Sequence, residues 1–165
     1  EMAVRDKLTG LYNRHYFDEM LARCLDRAER EHKPLSLLML DLDEFKPIND
    51  RHGHAMGDQV LADIGKTILA ATRAGDVCSR VGGDEFRIIS SDCGADTARA
   101  LADRLTADID ALTWQAGPEA VRVRVRVSVG IASYPADGRT GEALLAHADQ
   151  AMYRAKRERK QAAPA

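Results

Sequence analysis

The sequence predicts an α/β domain in which helices pack on a central sheet. Segments with a helical spacing of apolar residues alternate with short strand-like segments along the chain, an order typical of this class. Two glycines, Gly82 and Gly83, separate two of the short apolar segments, as in a tight hairpin. The 165 residues, 45% of them apolar, suffice for a single domain, residues 1–165, with its core at about residues 6–160.

The first half of the chain predicts a helix, a buried strand and a second helix. Apolar side chains recur every three or four positions over about residues 15–31, and Pro34 ends that helix. Residues 35–40 are continuously apolar, as in a strand that is buried on both faces. After a polar, glycine-containing loop, the spacing predicts another helix over about residues 58–74.

The second half predicts the glycine hairpin, a helix over about residues 96–111 and a turn at Gly117. Residues 121–127 alternate valine with arginine, which predicts a strand with one buried face and one wet face. We expect its three arginines to be solvated and not to form a binding stripe. A last helix, about residues 141–160, ends in a basic run that suits the helix dipole.

Composition argues against several classes of function. The formal net charge is only −2, so no overall field attracts nucleic acid or an anionic membrane. Three cysteines without CxxC spacing indicate neither a disulfide framework nor a zinc site, and they fit a reducing cytoplasm. No apolar run approaches the ~20 residues of a membrane span. We expect a cytoplasmic domain cut from a longer protein, whose remaining part would carry any membrane anchor.

Two groups of carboxylates stand where a metal site would form. Asp41 and Asp43 follow the buried strand, and Asp84 and Glu85 follow the glycine pair. The hairpin motif alone is more typical of a solvated turn than of a binding site. Carboxylates that converge from two elements suit Mg²⁺, however, because this ion takes hard oxygen ligands together with substrate phosphates. Nucleotide chemistry is therefore the leading class, and the chain has no HExxH, GxSxG or GxxxxGK[ST] motif that would favour another.

These motifs resemble the GGDEF family of diguanylate cyclases. The signature GGDEF itself stands at residues 82–86, and further matching segments follow the family order from about Asp6 to Lys156. They are DKLTGLYNR at 6–14, DLDEFK at 41–46, IND at 48–50, GH at 53–54, GD at 57–58, SVGIA at 128–132 and ADQAMYRAK at 148–156.

The resemblance implies a fold similar to the palm of nucleotide cyclases and polymerases. Its central sheet would be mainly antiparallel and five-stranded, with helices around it and the signature on a β-hairpin. The implied reaction condenses two GTP into cyclic di-GMP and releases two pyrophosphates. One protomer would hold one GTP, so a homodimer with two-fold symmetry would close the ring. The domain itself would contact neither nucleic acid nor membrane.

The resemblance also assigns a metal-bound catalytic centre by motif position. Asp41 and Glu85, with the carbonyl of Leu42, would hold Mg²⁺, or Mn²⁺ in its place. Asp84 would be a further metal ligand or the base for the ribose 3′-hydroxyl. The catalytic carboxylates are then Asp84 and Glu85.

The substrate-binding residues follow from the same resemblance. Asn49 and Asp58 match the guanine-reading pair, since a carboxylate can accept from guanine N1–H and N2–H₂. The triphosphate would lie against Phe45, Lys46, Gly82, Gly83, Lys156 and Lys160. The last of these stands where the family commonly has an arginine, a change that keeps the charge but loses the planar fork.

An RxxD tetrapeptide precedes the signature. Alone, Arg73-Ala-Gly-Asp76 is typical of a helix end followed by a turn. Its register nevertheless resembles the family's inhibitory product site, with Arg104 as a second arginine. Because arginine can pair with guanine O6 and N7, the resemblance implies feedback inhibition by cyclic di-GMP.

One alternative to an active cyclase stays open, a non-catalytic receptor that binds GTP or cyclic di-GMP and signals to a partner. Such members usually have a damaged signature, whereas all five metal and guanine positions are intact here: Asp41, Asn49, Asp58, Asp84 and Glu85. A related palm domain that makes another cyclic nucleotide or polymerises nucleotides is disfavoured by the guanine-reading pair and the balanced charge.

Overall fold

The computed structural model describes residues 3–162, and within them five helices and six strands alternate. The helices are α1 (Arg14–Glu31), α2 (Phe45–His52), α3 (His54–Ala71), α4 (Ala95–Asp110) and α5 (Gly141–Ala162). The strands are β1 (Leu35–Asp43), β2 (Val77–Gly82), β3 (Glu85–Ser91), β4 (Trp114–Ala116), β5 (Val121–Val123) and β6 (Arg126–Tyr134). The predicted α/β class is confirmed. Within the described range, no helix has the length and apolarity that crossing a bilayer needs.

The central sheet has the strand order β2-β3-β1-β6, and all of its pairings are antiparallel. Among the described residues it therefore has four full strands, one fewer than expected. At the edge formed by β2, Tyr12 adds a single parallel bridge to Ser79. This pairing cannot extend, because Asn13 immediately caps α1 by accepting a hydrogen bond from the backbone N–H of Tyr16.

Both faces of the sheet are covered, which explains the continuous apolar run of β1. Successive side chains of a strand point to opposite faces. Leu38 and Leu40 lie in a core cluster with residues of α2, α3 and α4, whereas Leu37 and Met39 lie in a second cluster with residues of α1 and α5. Each such fully buried side chain stabilises the fold by about 1.5–3 kcal/mol.

Helix α5 lies very close to β6 because Gly130 has no side chain. A Cβ at this position would overlap the carbonyl oxygen of Ala148 and the amide nitrogen of Met152. The close approach brings the later turns of α5 to the end of β1, where Lys156 reaches Asp41. The glycine of the SVGIA segment therefore positions a side chain of the candidate site.

Three of the four predicted helices agree with the structure to within two residues at each end, namely α1, α4 and α5. The helix predicted over residues 58–74 is displaced, because α3 spans His54–Ala71. Gly53, with a φ of 90°, directly precedes its first turn, and Thr72 adopts an extended conformation at its end. These two backbone conformations, and not the apolar spacing, determine the ends of the helix.

The polar segment after β1 is a helix and not the loop that we predicted. Helix α2 has eight residues and buries only Phe45 and Ile48, which is too few for a recognisable helical period. Pro47 is tolerated in its first turn because N–H groups there have no intrahelical acceptor.

Residues 121–127 contribute to two strands and not to one. β5 pairs with β4 in a separate two-stranded ribbon, whereas β6 begins at Arg126 and pairs with β1. The predicted alternation holds over residues 123–127, where the valines are buried and the arginines between them are exposed, but Val121 is exposed. The predicted turn at Gly117 is confirmed by a hydrogen bond from the Ala120 N–H to its carbonyl.

Candidate functional site

Asp41 and Glu85 occupy directly opposite positions on neighbouring strands. The antiparallel register of β1 and β3 pairs the two residues. Side chains of such a pair leave the sheet on the same face, with their Cβ atoms about 4.5–5.5 Å apart. The two side chains therefore leave the sheet side by side, which lets their carboxylates approach one cation.

The glycine hairpin stands next to this pair and is open to a ligand. Gly83 has a φ of 43°, a conformation that glycine adopts without a Cβ clash. Among the described residues, apart from the adjacent ones in the chain, no atom lies within 4 Å of where a Cβ of Gly82 or Gly83 would be. The carbonyl of Asp84 accepts a hydrogen bond from the Leu42 N–H at 3.2 Å, which joins the hairpin to the end of β1.

The hairpin is braced by Asp6, which the sequence analysis did not assign a role. Arg80 donates from Nε to the Gly83 carbonyl at 2.9 Å and from Nη1 to an Asp6 carboxylate oxygen at 3.0 Å. Burial opposes ionisation of Asp6, but hydrogen bonds from Thr9 and the charge of Arg80 prevail and lower its pKa. A charged Asp6 thus orients Arg80, and Arg80 stabilises the glycine turn through its hydrogen bond to Gly83.

Lys156 is the cation at the centre of the acidic group. Its Nζ lies 2.7 Å from Oδ2 of Asp41. Burial alone would lower the pKa of Lys156, yet the hydrogen bond to Asp41 and the nearby charges of Asp43 and Asp84 raise it. The ammonium is therefore held in its charged form among three carboxylates.

Two of these carboxylates resist ionisation. Burial, and then the negative charge of Asp41, raise the pKa of Asp84. Burial also raises the pKa of Asp43, although Ser128 donates to it at 2.8 Å and the charges of Arg159 and Lys156 oppose the shift. Crowded carboxylates of this kind favour a bound cation, because a cation relieves their mutual repulsion.

Arg87 fixes the carboxylate of Glu85. Its Nε donates to Oε2 of Glu85 at 2.9 Å, and its guanidinium lies 5.3 Å from the centre of the Phe17 ring. Arg87 is almost completely buried. The sequence analysis missed this contact, although residues i and i+2 of a strand share a face and the pair could have been found from that rule.

The donor set fits a magnesium ion. Asp41, Asp84 and Glu85 supply hard oxygen atoms around the end of β1, and the Leu42 carbonyl belongs to the same strand end. In the described part of the chain, no three acidic, histidine or cysteine side chains are already grouped closely enough to ligate an ion. Mg²⁺ commonly takes only one or two carboxylates and completes its shell with water and substrate phosphates.

Asn49 and Asp58 are brought near each other by the close packing of α2 on α3. A Cβ at Gly57 would overlap the Asn49 side-chain oxygen and lie 2.8 Å from its Cγ. Asn49 therefore lies directly against the residue that precedes Asp58. Asp58 itself is exposed, so its carboxylate is accessible to a ligand.

The other residues that we predict to contact phosphate lie at the start of α2 and at the end of α5. Phe45 is the first residue of α2, and the N-cap residue Glu44 makes no side-chain capping bond among the described contacts. N–H groups in a first helical turn lack intrahelical partners and attract anions. Lys46 on α2 and Lys160 on α5 are both exposed.

The RxxD segment forms a compact polar network at the edge of the sheet. Arg73 Nη2 donates to Ser90 Oγ and to the Ser91 carbonyl, both at 2.7 Å, and lies 3.3 Å from Asp76 Oδ1. Ser90 Oγ in turn donates to Asp76 at 2.9 Å. Arg104 lies on α4, exposed and 3.7 Å from Asp108. Arg73 and Asp76 are thus held together, whereas Arg104 is placed on a separate element.

Residues 3–162 match the family profile described as "Diguanylate cyclase, GGDEF domain". The diguanylate cyclase TpbB of Pseudomonas aeruginosa is 41% identical over 158 residues, which is 94% of this chain and 36% of that protein. The bifunctional diguanylate cyclase/cyclic di-GMP phosphodiesterase MucR of the same species is 38% identical over 156 residues, 94% of this chain and 22% of that protein. The chain thus spans about a third or less of these relatives.

Solved structures resemble the chain over nearly its whole length. The GGDEF domain of DgcB from Caulobacter crescentus, solved in complex with c-di-GMP, is 29% identical with a TM-score of 0.89 and covers 96% of this chain and 92% of that one. The GGDEF domain of TpbB is 39% identical with a TM-score of 0.86, over 93% of this chain and 89% of that one.

Proposed function

Because this chain belongs to the GGDEF-domain family of diguanylate cyclases, we propose that it condenses two GTP molecules into cyclic di-GMP and releases two pyrophosphates. The observation that carries the proposal is the register of β1 and β3, which sets Asp41 beside Glu85 next to the open glycine turn. Relatives named as diguanylate cyclases support it.

Magnesium, or manganese in its place, would be held by Asp41, Glu85 and the Leu42 carbonyl, with Asp84 as a further ligand. When bound, the ion would neutralise triphosphate charge and lower the pKa of the ribose 3′-hydroxyl. Lys156, which the acidic neighbours hold in its charged form, would contribute a positive charge to the same phosphates. Lys46, Lys160 and the free N–H groups at the start of α2 would orient them.

The chain's own groups would chiefly align the reactants, because phosphoryl transfer needs alignment and charge neutralisation more than covalent help. Asp84 is the residue we assign to take the proton of the 3′-hydroxyl as it attacks the α-phosphate of the other GTP. The backbone at Gly82 and Gly83 leaves room for ribose and phosphate next to Asp84.

Guanine would be read by Asn49 and Asp58. A carboxylate can accept from guanine N1–H and N2–H₂, a donor pair that adenine lacks. Asn49 is held between α2 and α3 by its contact with Gly57, which orders one member of the pair before the base arrives. Preorganisation of this kind reduces the entropy lost on binding.

Activity requires two protomers. One domain has one such acidic strand end and one Asn49–Asp58 pair, so it would present one GTP, and ring closure needs two hydroxyls and two α-phosphates. If two identical protomers are related by a two-fold axis, each 3′-hydroxyl attacks the α-phosphate of the other GTP, and both attacks have the same geometry. The three free cysteines, Cys24, Cys78 and Cys93, support a reducing cytoplasm as the compartment.

The product would also inhibit the enzyme. Arg73 and Asp76 form a preorganised polar pair to which guanine could bind through arginine contacts with O6 and N7, with Arg104 as a further contact. The relative DgcB was solved in complex with c-di-GMP, which supports binding of this ligand by the family.

The experiment that tests the proposal is incubation of the purified chain with GTP and Mg²⁺, followed by chromatography of the products over a range of protein concentrations. We expect cyclic di-GMP, with a specific rate that rises with protein concentration until dimerisation saturates. Absence of cyclic di-GMP in a preparation shown to dimerise would refute the cyclase assignment. GTP binding without turnover would instead favour the receptor alternative.

The assignment of Glu85 as a metal ligand is tested with Glu85→Gln. This variant should lose nearly all turnover while its far-UV circular dichroism stays unchanged, because the amide keeps the shape but not the charge. Glu29→Gln is the matched control, since Glu29 is exposed on α1, and it should retain full activity. Comparable activity of both variants would remove Glu85 from the metal site.

A further inference from the structure

A pocket of about 530 Å³ lies beside α2, on the side where Pro47, Ile48 and Arg51 are located. Its other walls are residues 122–126, which run from β5 into β6, the end of α5, and the junction of β1 with α2. This volume is within the range of about 300–1,000 Å³ that is typical of small-molecule sites.

The pocket is strongly basic although the chain as a whole is not. Six arginine or lysine side chains line it, together with two carboxylates, Asp43 and Glu44, which leaves a formal surplus of four positive charges. The chain has a net charge of −2. The six cations are Arg51, Arg122, Arg124, Arg126, Arg159 and Lys160.

The fold holds several of these cations in place. Val123 and Val125 are buried and alternate with the arginines, so the backbone conformation directs the arginines away from the core. Arg124 donates to the Asp110 carbonyl at 3.1 Å, and Arg159 lies 3.4 Å from both Asp43 and Asp110. The end of α4 therefore brings an arginine of the β5–β6 segment and one of α5 together.

Much of this positive charge lacks a local counterion. Among the contacts of the described residues, Arg51, Arg122, Arg126 and Lys160 have no ion pair, whereas Arg159 is paired with Asp43 and Asp110. Like charges that converge on one concave space repel each other unless an anion lies between them.

We propose that this pocket is a binding site for an oligophosphate anion, meaning two or more linked phosphates, free or carried by a nucleotide. The arginine guanidinium has a planar fork that matches phosphate oxygens bidentately. A single phosphate carries about two negative charges near neutral pH, so linked phosphates match the surplus charge better. A concave site on a chain of balanced charge suits a small ligand and not an extended polyanion.

The site is separate from the proposed catalytic centre. Among the described residues, neither the strand-end carboxylates Asp41 and Glu85 nor the guanine pair lines the pocket. The pocket lies along one side of α2, whereas Lys46 and Asn49 occupy other positions around the helix and do not line the pocket. Asp43 and Lys160 belong to both, so the pocket adjoins the acidic group around Lys156 and the predicted triphosphate position at the end of α5.

The test is isothermal titration calorimetry of the full chain with sodium tripolyphosphate, in buffer with a chelator and no divalent cation. Without a metal, the carboxylates of the catalytic centre repel the anion. Arg122→Gln combined with Arg126→Gln removes two exposed cations of the pocket. Arg23→Gln combined with Arg139→Gln is the control, because it removes the same charge from exposed positions outside the pocket.

We expect one binding event per chain, weakened about tenfold or more in the pocket variant and less than about twofold in the control. Thermal denaturation should give the same Tm for both variants. Repeating the titration with pyrophosphate and with adenosine triphosphate distinguishes a free oligophosphate from a nucleotide as the ligand. If adenosine triphosphate binds more tightly than pyrophosphate, and this binding is lost in the pocket variant, the site is assigned to nucleotides. No binding, equal weakening in both variants, or loss only in a Lys156→Gln variant would overturn the proposal.

Discussion

The ammonium of Lys156 lies 2.7 Å from a carboxylate oxygen of Asp41, although the two residues are 115 positions apart in the sequence. Asp43 and Asp84 also raise the pKa of this lysine, so one cation interacts with three acidic side chains. This relationship joins α5 to the end of β1 and offsets part of the negative charge of the candidate centre.

Replacement of Lys156 by methionine should therefore lower kcat/KM by about tenfold to a hundredfold, because a charged hydrogen bond contributes roughly 1.5–3 kcal/mol. Lys156→Arg should retain more activity because it keeps the charge. Lys66→Met, a change at an exposed lysine on α3, serves as the control and should leave kcat/KM unchanged. Equal rates for Lys156→Met and the control in initial-rate assays would contradict the role of Lys156.

The raised pKa of Asp84 leads us to predict that the stability of the fold depends on pH. Its pKa is raised in the folded state, so its contribution to stability is fully present below the unfolded value of 3.8 and is lost as the pH rises through the folded pKa. In chelator-containing buffer, Asp84→Asn should thus raise the Tm by a few degrees at pH 7.5 and by much less near pH 4. Differential scanning calorimetry of both proteins at the two pH values measures this. A gain that does not shrink at the lower pH would show that charge is not the cause.

Gly57→Ala should disturb the proposed guanine site. The added Cβ would overlap the Asn49 side-chain oxygen, so either Asn49 must rotate or α2 must move away from α3. We expect a rise in the KM for GTP of about tenfold with a smaller change in kcat, measured from initial rates. Gly94→Ala is the control because no described atom lies within 4 Å of its Cβ position. If both substitutions leave the KM unchanged, Asn49 does not contact the base.

Arg73→Ala should relieve inhibition by the product. Arg73 supplies the guanidinium of the proposed inhibitory site, while Ser90 would still hold Asp76 in the variant. We expect the Ki for cyclic di-GMP to rise about tenfold or more, with initial rates in the absence of product close to those of the unmodified chain. Arg99→Ala, at an exposed position on α4, is the matched control. Identical Ki values for the two variants would remove the RxxD segment from product binding.

The sequence by itself determined the α/β class, the buried strand β1, the glycine hairpin and three of the helices. Local patterns suffice for these, because a continuous apolar run or a helical period reports burial directly. Helix α2 was missed because two inward residues, Phe45 and Ile48, make no period. The division of residues 121–127 between two strands was missed because the alternation does not reveal that β5 pairs with β4 while β6 pairs with β1.

Only the tertiary structure decided which charged groups meet. The strand register sets Asp41 opposite Glu85, and the missing side chain of Gly130 lets α5 bring Lys156 to Asp41. The arginines of residues 121–127 were correctly predicted to be exposed, yet no local pattern indicates that they share a pocket with Arg51 and Arg159. The alternation of apolar and charged residues along a strand shows which of its side chains are exposed. Convergence depends on register and helix packing between distant segments, which no local pattern contains.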